Sequence, residues 1–469
     1  MATPSYDYGM IGLGTMGRNL VLNMSDQGFS VAGFDKNPHQ VALLEQAAAS
    51  RQLYGTADLQ DFINVLKKPR VIFLLVPAGP VVDAVLDELL SFLSKGDLLV
   101  DAGNTHFEDT NRRMNHLRQQ GIHFMGMGIS GGEAGARSGP SIMPGGEKAV
   151  FVQVAPLLEA IAAKVGGEPC VAYLGAGSAG HYVKMVHNGI EYAIMQLISE
   201  FYHLLKEAGD LDNEALHTIF STWNEGVLRS FLIEITAAIL AKKDEWTGNY
   251  LLDMILDSAH QKGTGMWTSQ HAMALHAPVT AIDAAVSMRD LSANKELRQQ
   301  ASQKLKKVTP AANLDKTAML AQAESALYFA TMIAYAQGMA LLKKASDAYQ
   351  YGLKLEAVAS IWRGGCIIRA ALLEDIRMAF AQNPNLENLL LSDSFAQKLN
   401  QLEAPLRTAI KLGIDAGIPM PASMAALAYF DSLRRGWLPA NLIQAQRDFF
   451  GAHTYQRTDR AGNFHTEWR

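Results

Sequence analysis

At 469 residues the chain is too long for one ordinary core, so two or three domains are expected. Hydrophobic residues at 49% and charged residues at 19% describe a globular protein with a large core, and the formal net charge of −5 excludes a basic footprint for nucleic acid, so any anion must be met by local Lys and Arg. Two cysteines, Cys170 and Cys366, exclude a disulfide framework or a thiolate zinc site and suit a reducing compartment.

Met1-Ala2-Thr3-Pro4 passes straight into a strand-like segment without a basic n-region and an apolar h-region, and no uncharged apolar run of membrane-spanning length is expected, which points to the cytoplasm. Residues 8–11 read as a strand and run into Gly12-Leu13-Gly14-Thr15-Met16-Gly17, then into a helix-like segment at 18–24. Strand, G-x-G-x-x-G and helix in that order form the dinucleotide fingerprint: the glycines let the backbone approach a pyrophosphate held at the helix N-terminus. A second strand over 29–34 ends at Asp35, where such folds place the acid that binds a ribose 2′-hydroxyl.

Residues 71–76 and 98–101 are continuous apolar runs, the mark of buried parallel strands, with helical segments between them. The predicted first domain, residues 1–178, is therefore an α/β Rossmann-like, doubly wound sheet. Strand ends deliver Asn104 and Ser130-Gly131-Gly132 to the carboxyl edge, where such sheets bind ligands. Residues 139–146 are turn-rich and are expected to be either a plain loop or a functional lining.

After Ser178 the strand signals stop, and helical periodicity over 179–435 predicts a large all-α domain. In Lys184-Met185-Val186-His187-Asn188-Gly189-Ile190-Glu191-Tyr192, the positions Lys184, His187, Asn188 and Glu191 fall at i, i+3, i+4 and i+7, so an amine, an imidazole, an amide and a carboxylate share one helix face. Residues 193–202 are apolar on nearly every side, as in a helix running through the middle of a protein. A charged face on such a helix must open onto something polar, and a substrate is a candidate. The region is also loosely duplicated: 191 to 226 resembles 324 to 365, each followed by an apolar helix reaching Glu234 or Glu374. Gln261-Lys262-Gly263-Thr264-Gly265 and Arg289 are further polar clusters. The tail, 436–469, is aromatic and basic around Arg447 and His453 without a periodic stripe, and is expected to dock on another surface.

These motifs, in this order, resemble the decarboxylating 6-phosphogluconate dehydrogenases over essentially the whole chain. The resemblance rests on the Gly12 to Gly17 opening, Asp101-Ala102-Gly103-Asn104, Gly128-Ile129-Ser130-Gly131-Gly132-Glu133, the Lys184 to Tyr192 helix, Gln261 to Gly265 and the Arg447 to Tyr455 tail. It implies that 6-phospho-D-gluconate is oxidised at C3 by hydride transfer to NAD or NADP and decarboxylated to ribulose 5-phosphate, without a metal. By the same resemblance Lys184 is the base and electrophile and Glu191 the acid that protonates C1. Asn104, Ser130, Gly131, Gly132, His187 and Asn188 hold the carboxylate and hydroxyls. Tyr192, Lys262, Thr264 and Arg289 hold the phosphate end, together with Arg447 and His453 of the partner subunit in a homodimer with shared sites. Gly12, Leu13, Gly14, Thr15, Met16 and Gly17, with Asp35, Lys36, Asn37, Val76, Pro77, Ala78 and Asn104, surround the cofactor.

The chain departs from the family pattern at Asp35-Lys36-Asn37, where an arginine usually faces the NADP 2′-phosphate, and at Pro77, Ala134 and Met266. Asp35 tilts the expectation towards NAD. Two other readings share parts of this pattern. A 3-hydroxyisobutyrate-type β-hydroxyacid dehydrogenase has the fold and the lysine, but it is shorter and lacks the duplication and tail. A catalytically silent dinucleotide-binding protein has no reason to bury a charged helix face.

Overall fold

The structure, a computed structural model, describes residues 5–48, 51–306, 308 and 316–468. One sheet is built from β1 (Tyr8–Ile11), β2 (Val31–Phe34), β3 (Leu53–Thr56), β4 (Val71–Leu74), β5 (Leu98–Asp101), β6 (His123–Ser130) and β7 (Ser141–Gly145). Their spatial order is β3-β2-β1-β4-β5-β6-β7. The first six are parallel and β7 is antiparallel to β6. The apolar runs become strands because successive side chains enter cores on opposite faces: Met10 and Phe73 in one, Ile11, Ile72 and Leu74 in the other. Strand order reverses between β1 and β4, which opens the crevice where α/β sheets take ligands.

Residues 139–146, expected as a loop or a lining, instead contain β7, buried along its whole length. Its turn-like composition is tolerated because β7 is the edge strand, where Pro144 breaks no central ladder. β6 is equally unlike a strand in composition, with Gly126 and Gly128 in its middle; both are demanded by a helix that lies against it.

That helix, Ala179–His203, is the axis of the helical part and continues through a π-helical turn, Leu204–Ala208. It packs on β6 and β7 on one side and on the 34-residue helix Lys316–Tyr349 on another. A Cβ at Gly338 would come within 2.4 Å of Ile190, so this glycine sets the closeness of the two helices. Glu200, buried, ties the helix to a distant element. It accepts from Ala422 N (2.8 Å), Ser423 N (2.9 Å) and Ser423 Oγ (2.7 Å), satisfying orphan donors at the start of Pro421–Leu433.

The duplicated pattern takes physical form. Ala179–His203, Asn213–Trp223 and Phe231–Ala241 recur as Lys316–Tyr349, Leu355–Trp362 and Leu372–Gln382. The two copies meet back to back, with an antiparallel bridge between Ser230 and Ala370. Phe231 N donates to Arg369 O (3.1 Å) and Ala371 N to Arg229 O (2.9 Å). One expectation is corrected here: an 18-residue window within Met319–Tyr349 is apolar and uncharged enough to cross a membrane. Because 89% of that window is buried inside the protein, its hydrophobicity is accounted for by the core.

The tail is also more regular than its sequence suggests. It holds the helix Ala440–Gly451 and a small antiparallel pair, Tyr455–Gln456 with Asn463–Phe464. Asp448 gathers it, accepting from Thr454 N (3.0 Å), His465 Nδ1 (2.9 Å), Thr466 N (3.1 Å) and Trp468 Nε1 (2.9 Å).

Candidate active site

The glycine loop leaves β1 at the strand-order reversal. A Cβ at Gly12 (φ +96°) would lie 2.4 Å from Leu75 O, and one at Gly17 would lie 1.8 Å from Gly12 O; a Cβ at Gly14 would meet nothing within 4 Å. A tight turn, a close helix approach and an open backbone face are what a pyrophosphate at the N-terminus of Thr15–Asp26 requires, so these residues fit a dinucleotide.

Gly14 to Gly17 line a cleft of about 950 Å³, along with Val76, Pro77, Ala78 and Asn104 from the sheet and Asn188, Glu191, Tyr192, Lys262, Thr264 and Arg289 from the helical part. Gly12 and Leu13 stand behind its wall. Leu13 is fully buried, and its N–H donates to Asp35 Oδ2 at 2.8 Å. Asp35 Oδ1 accepts from Asn37 N at 2.9 Å, whereas Lys36 Nζ pairs with Glu88 Oε1 at 2.5 Å on the helix Pro80–Leu90.

The helix Ala179–His203 lies along β6 in matched steps. A Cβ at Gly126 would be 2.8 Å from His181 Nδ1, and one at Gly128 would be 2.4 Å from Lys184 Cβ. Ser130, two residues further on, reaches His187 Nε2 with its hydroxyl at 3.2 Å. Residues 181, 184 and 187 thus ride on alternate positions of one strand, and the glycines leave room for the long side chains between them. Of the face foreseen as an acid/base set, Lys184 (7% exposed), His187 (0%) and Asn188 are buried, and Glu191 is half-buried.

Burial governs the protonation of this set. It pushes His187 well below its ordinary pKa, with the Lys184 charge acting the same way, so the ring is neutral. His187 Nδ1 faces two acceptors, Asn188 Oδ1 at 3.0 Å and Glu191 Oε2 at 3.9 Å. We assign the proton to Nδ1, which leaves Nε2 to accept from the Ser130 hydroxyl; Ile367 N in turn donates to Ser130 Oγ at 3.4 Å. Burial also lowers the pKa of Lys184, against the pull of Glu191, and raises that of Glu191, against the pull of Lys184 and Arg289. The two shifts bring the pKa values of this amine and this carboxyl towards one another.

At the other end of the cleft, Arg289 sits over the Tyr192 ring at 3.6 Å and donates to His260 O at 3.3 Å. Asp290, its sequence neighbour, is taken by Gln261 Nε2 at 2.5 Å. Lys262 is exposed, and Thr264 opens the helix Thr264–Ala274 after Gly263 (φ +92°). Two cations and a helix start therefore face the cleft, the makings of an anion site. Arg447 and His453 do not line this cleft: both are exposed on the tail, and Arg447 Nη1 donates to Gln444 Oε1 at 3.1 Å. Gly131 and Gly132 also stand outside the lining. Gly131 (φ +122°) turns against Gly365, where a Cβ would be 2.5 Å from Gly365 O. His106 and Trp267 line the cleft edge-to-face at 5.0 Å, and Cys366, buried, lies close enough to bear on the Lys184 charge; none was singled out in the sequence. Their only sequence signal was adjacency to Asn104, to Thr264 and to the paired glycines 364 and 365.

A glycine loop at the switch point of a doubly wound sheet, in one cleft with Asn188 and the half-buried Glu191 of the helix that carries Lys184, defines a dinucleotide-dependent protein. The description "NAD binding domain of 6-phosphogluconate dehydrogenase" matches residues 7–175, and "6-phosphogluconate dehydrogenase, C-terminal domain" matches 180–468. The chain belongs to the 6-phosphogluconate dehydrogenase family.

Among its relatives is a Bacillus subtilis 6-phosphogluconate dehydrogenase, NADP(+)-dependent and decarboxylating, 50% identical over 462 residues, 98% of each chain. The NAD(+)-dependent decarboxylating enzyme of the same organism is 49% identical over 463 residues, again 98% of each chain. A solved structure of Plasmodium falciparum 6-phosphogluconate dehydrogenase, described in its apo form, with NADP+ and with 6-phosphogluconate, superposes with a TM-score of 0.96 at 45% identity, covering 98% of this chain and 100% of that one. Matches of this extent leave the shorter β-hydroxyacid dehydrogenase and the silent protein without support.

Proposed function

We propose that the chain converts 6-phospho-D-gluconate to D-ribulose 5-phosphate and CO₂ with reduction of NAD or NADP. The observation that carries this reading is that buried Lys184 stands on the same helix face as Asn188 and Glu191, which line a cleft with the open glycine backbone at one end and Lys262 with Arg289 at the other. Bound along the glycine loop, the nicotinamide supplies a hydride acceptor. Lys184, its amine made accessible in neutral form by burial, takes the C3 hydroxyl proton. As a cation it then stabilises the oxygen on C3 while the C1–C2 bond breaks and CO₂ leaves, and it returns the proton to that oxygen. Glu191, whose pKa burial raises, protonates C1 of the enediol.

Ser130, His187 and Asn188, linked by hydrogen bonds, present one donor and acceptor set to the carboxylate and hydroxyls, with Asn104, Gly131 and Gly132 beside them. Tyr192, Lys262, Thr264 and Arg289 hold the phosphate. Arg447 and His453 complete that end from the partner subunit of a cytoplasmic homodimer; support comes from the exposed Trp437, Leu442, Ile443 and Phe450 of the same tail, an apolar surface suited to docking.

For the cofactor, NAD is used at least as well as NADP. Relatives of nearly equal identity carry either name, so overall similarity does not choose between them. Asp35 presents a carboxylate that favours ribose hydroxyls over a 2′-phosphate, and Lys36, the compensating cation, is engaged by Glu88. Release of CO₂ from 6-phosphogluconate, measured with each dinucleotide, tests both statements: no release with either overturns the reaction, and a strong preference for NADP overturns the cofactor reading alone. Glu88→Gln should free Lys36 and move the kcat/KM ratio towards NADP by at most about fivefold, the scale of an exposed ion pair.

A further inference from the structure

Beneath the cleft, one buried guanidinium joins its two sheet loops. Arg113, on the helix Phe107–Arg118, is 1% exposed. Its Nε and Nη2 fork onto Asp83 at 2.8 and 2.9 Å, Nη2 also donates to Gly79 O at 2.9 Å, and Nη1 stands 3.6 Å from Asp101 Oδ2. Asp101 accepts from Gly103 N (3.1 Å) and Thr105 Oγ1 (2.7 Å), so its carboxylate shapes the turn that carries Asn104. Thr110, one helical turn before Arg113, shares a hydrogen bond of 2.7 Å with His181 Nδ1. The His181 ring also faces the backbone of Asp101 and Gly103, and it lies three residues, one turn, before Lys184.

The helix Phe107–Arg118 thus touches, from a single buried face, the loop after β4, the loop after β5 and the helix that bears Lys184. As a stabilising device alone, a buried ion pair is poor, because an apolar set of the same shape does as well or better. As a spacer it is good, since the planar fork fixes two partners at once. We propose that Arg113, Asp101 and His181 are positioning residues: through them the loop at residues 76–79, the Asn104 loop and Lys184 are held at one mutual spacing, so that dinucleotide and substrate meet in register. The proposal rests on the reading in which those three elements hold the cofactor and the reacting carbons.

The test compares Arg113→Lys, Thr110→Val and Thr110→Ser with the wild type, at a temperature well below the lowest melting midpoint. Steady-state constants are read together with the dinucleotide Kd from protein fluorescence in the absence of 6-phosphogluconate. Arg113→Lys keeps a cation but loses the fork, and should raise the dinucleotide Kd and KM about tenfold, the scale set by small misplacements at a distance. Thr110→Val preserves shape but releases His181, and should lower kcat about fivefold or more with the dinucleotide Kd within about twofold, while Thr110→Ser recovers kcat. Lowered melting midpoints with both kinetic constants unchanged in Arg113→Lys and Thr110→Val would mean a purely structural network and overturn the proposal. If Arg113→Lys does not fold, the two Thr110 variants decide. A wild type that releases no CO₂ sinks the functional reading, which is a different failure from active variants with wild-type constants.

Discussion

In the proposed mechanism Lys184 and Glu191 are where single side chains decide the outcome, and the directions of their pKa shifts set the expected pH profile. Lys184 acts as a base only when neutral, so activity is lost as pH falls through its lowered pKa; Glu191 acts as an acid only when protonated, so activity is lost as pH rises through its raised pKa. The expected kcat/KM profile is a bell, and a profile flat from mildly acid to mildly alkaline pH contradicts the assignment. Lys184→Met should reduce kcat by about 10²-fold or more with dinucleotide binding intact; a tenth of wild-type turnover would be too much to reconcile with general base catalysis. Stability moves the other way. Between the lowered folded pKa and 10.5 the unfolded chain binds more protons at this lysine, so its burial costs stability that returns as pH rises through that window. The Lys184→Met chain should therefore melt no lower than the wild type at neutral pH. Glu191→Gln should spare hydride transfer more than product formation, visible as reduced dinucleotide appearing ahead of ribulose 5-phosphate. At this scale the Lys184 face could be seen in the sequence because i, i+3, i+4, i+7 spacing is a property of the helix itself. Cys366, His106 and Trp267 could not, since each reaches the site through packing between distant segments.

For the elements, the pairing of β6 with the helix Ala179–His203 is the decisive contact. Gly128→Ala would place a Cβ 2.4 Å from Lys184 Cβ, with a main-chain oxygen of Gly180 also at 3.3 Å, so the helix or the strand must shift. Overpacking of this kind costs about 1–3 kcal/mol, and the shift falls on Lys184 itself. Gly128→Ala should consequently lose activity out of proportion to its loss of stability, as measured by urea unfolding beside steady-state kinetics; full activity with an unchanged midpoint would show that the contact can relax freely. β1, β2, β4 and β5 were readable because strands buried on both faces are continuous apolar runs. Of β6 only the strand end at Ser130 was legible, and β7 was not, because their composition answers to the helix packed on them. The glycines that look like turn signals are there to admit His181, Lys184 and Gly180.

At the scale of the whole molecule, the tail is the test. Arg447 and His453 are exposed and lie outside their own chain's cleft. If they serve a partner's cleft in a two-fold dimer, Lys184→Met and Arg447→Ala homodimers are both nearly inactive, the second through loss of a charge-assisted contact of about 1.5–3 kcal/mol. In a mixed dimer one site joins an intact Lys184 to an intact Arg447. Refolding the two variants together should restore about a quarter of wild-type activity if the sites act independently. Recovery no greater than the sum of the separate variants, in a mixture shown to contain mixed dimers, places the tail elsewhere.

From the sequence by itself came the α/β-then-α order, the glycine loop, the Lys184 to Glu191 face and the family resemblance, because each is written in local periodicity or in a short contiguous motif. Only the tertiary structure decided that residues 139–146 are a strand, that the long apolar helix is core, that Leu13 is packing while Gly14 is exposed, and that Arg113 and His181 meet behind the cleft. Those facts depend on which distant segments share a volume, and no one-dimensional pattern records what will press against a glycine or bury a charge.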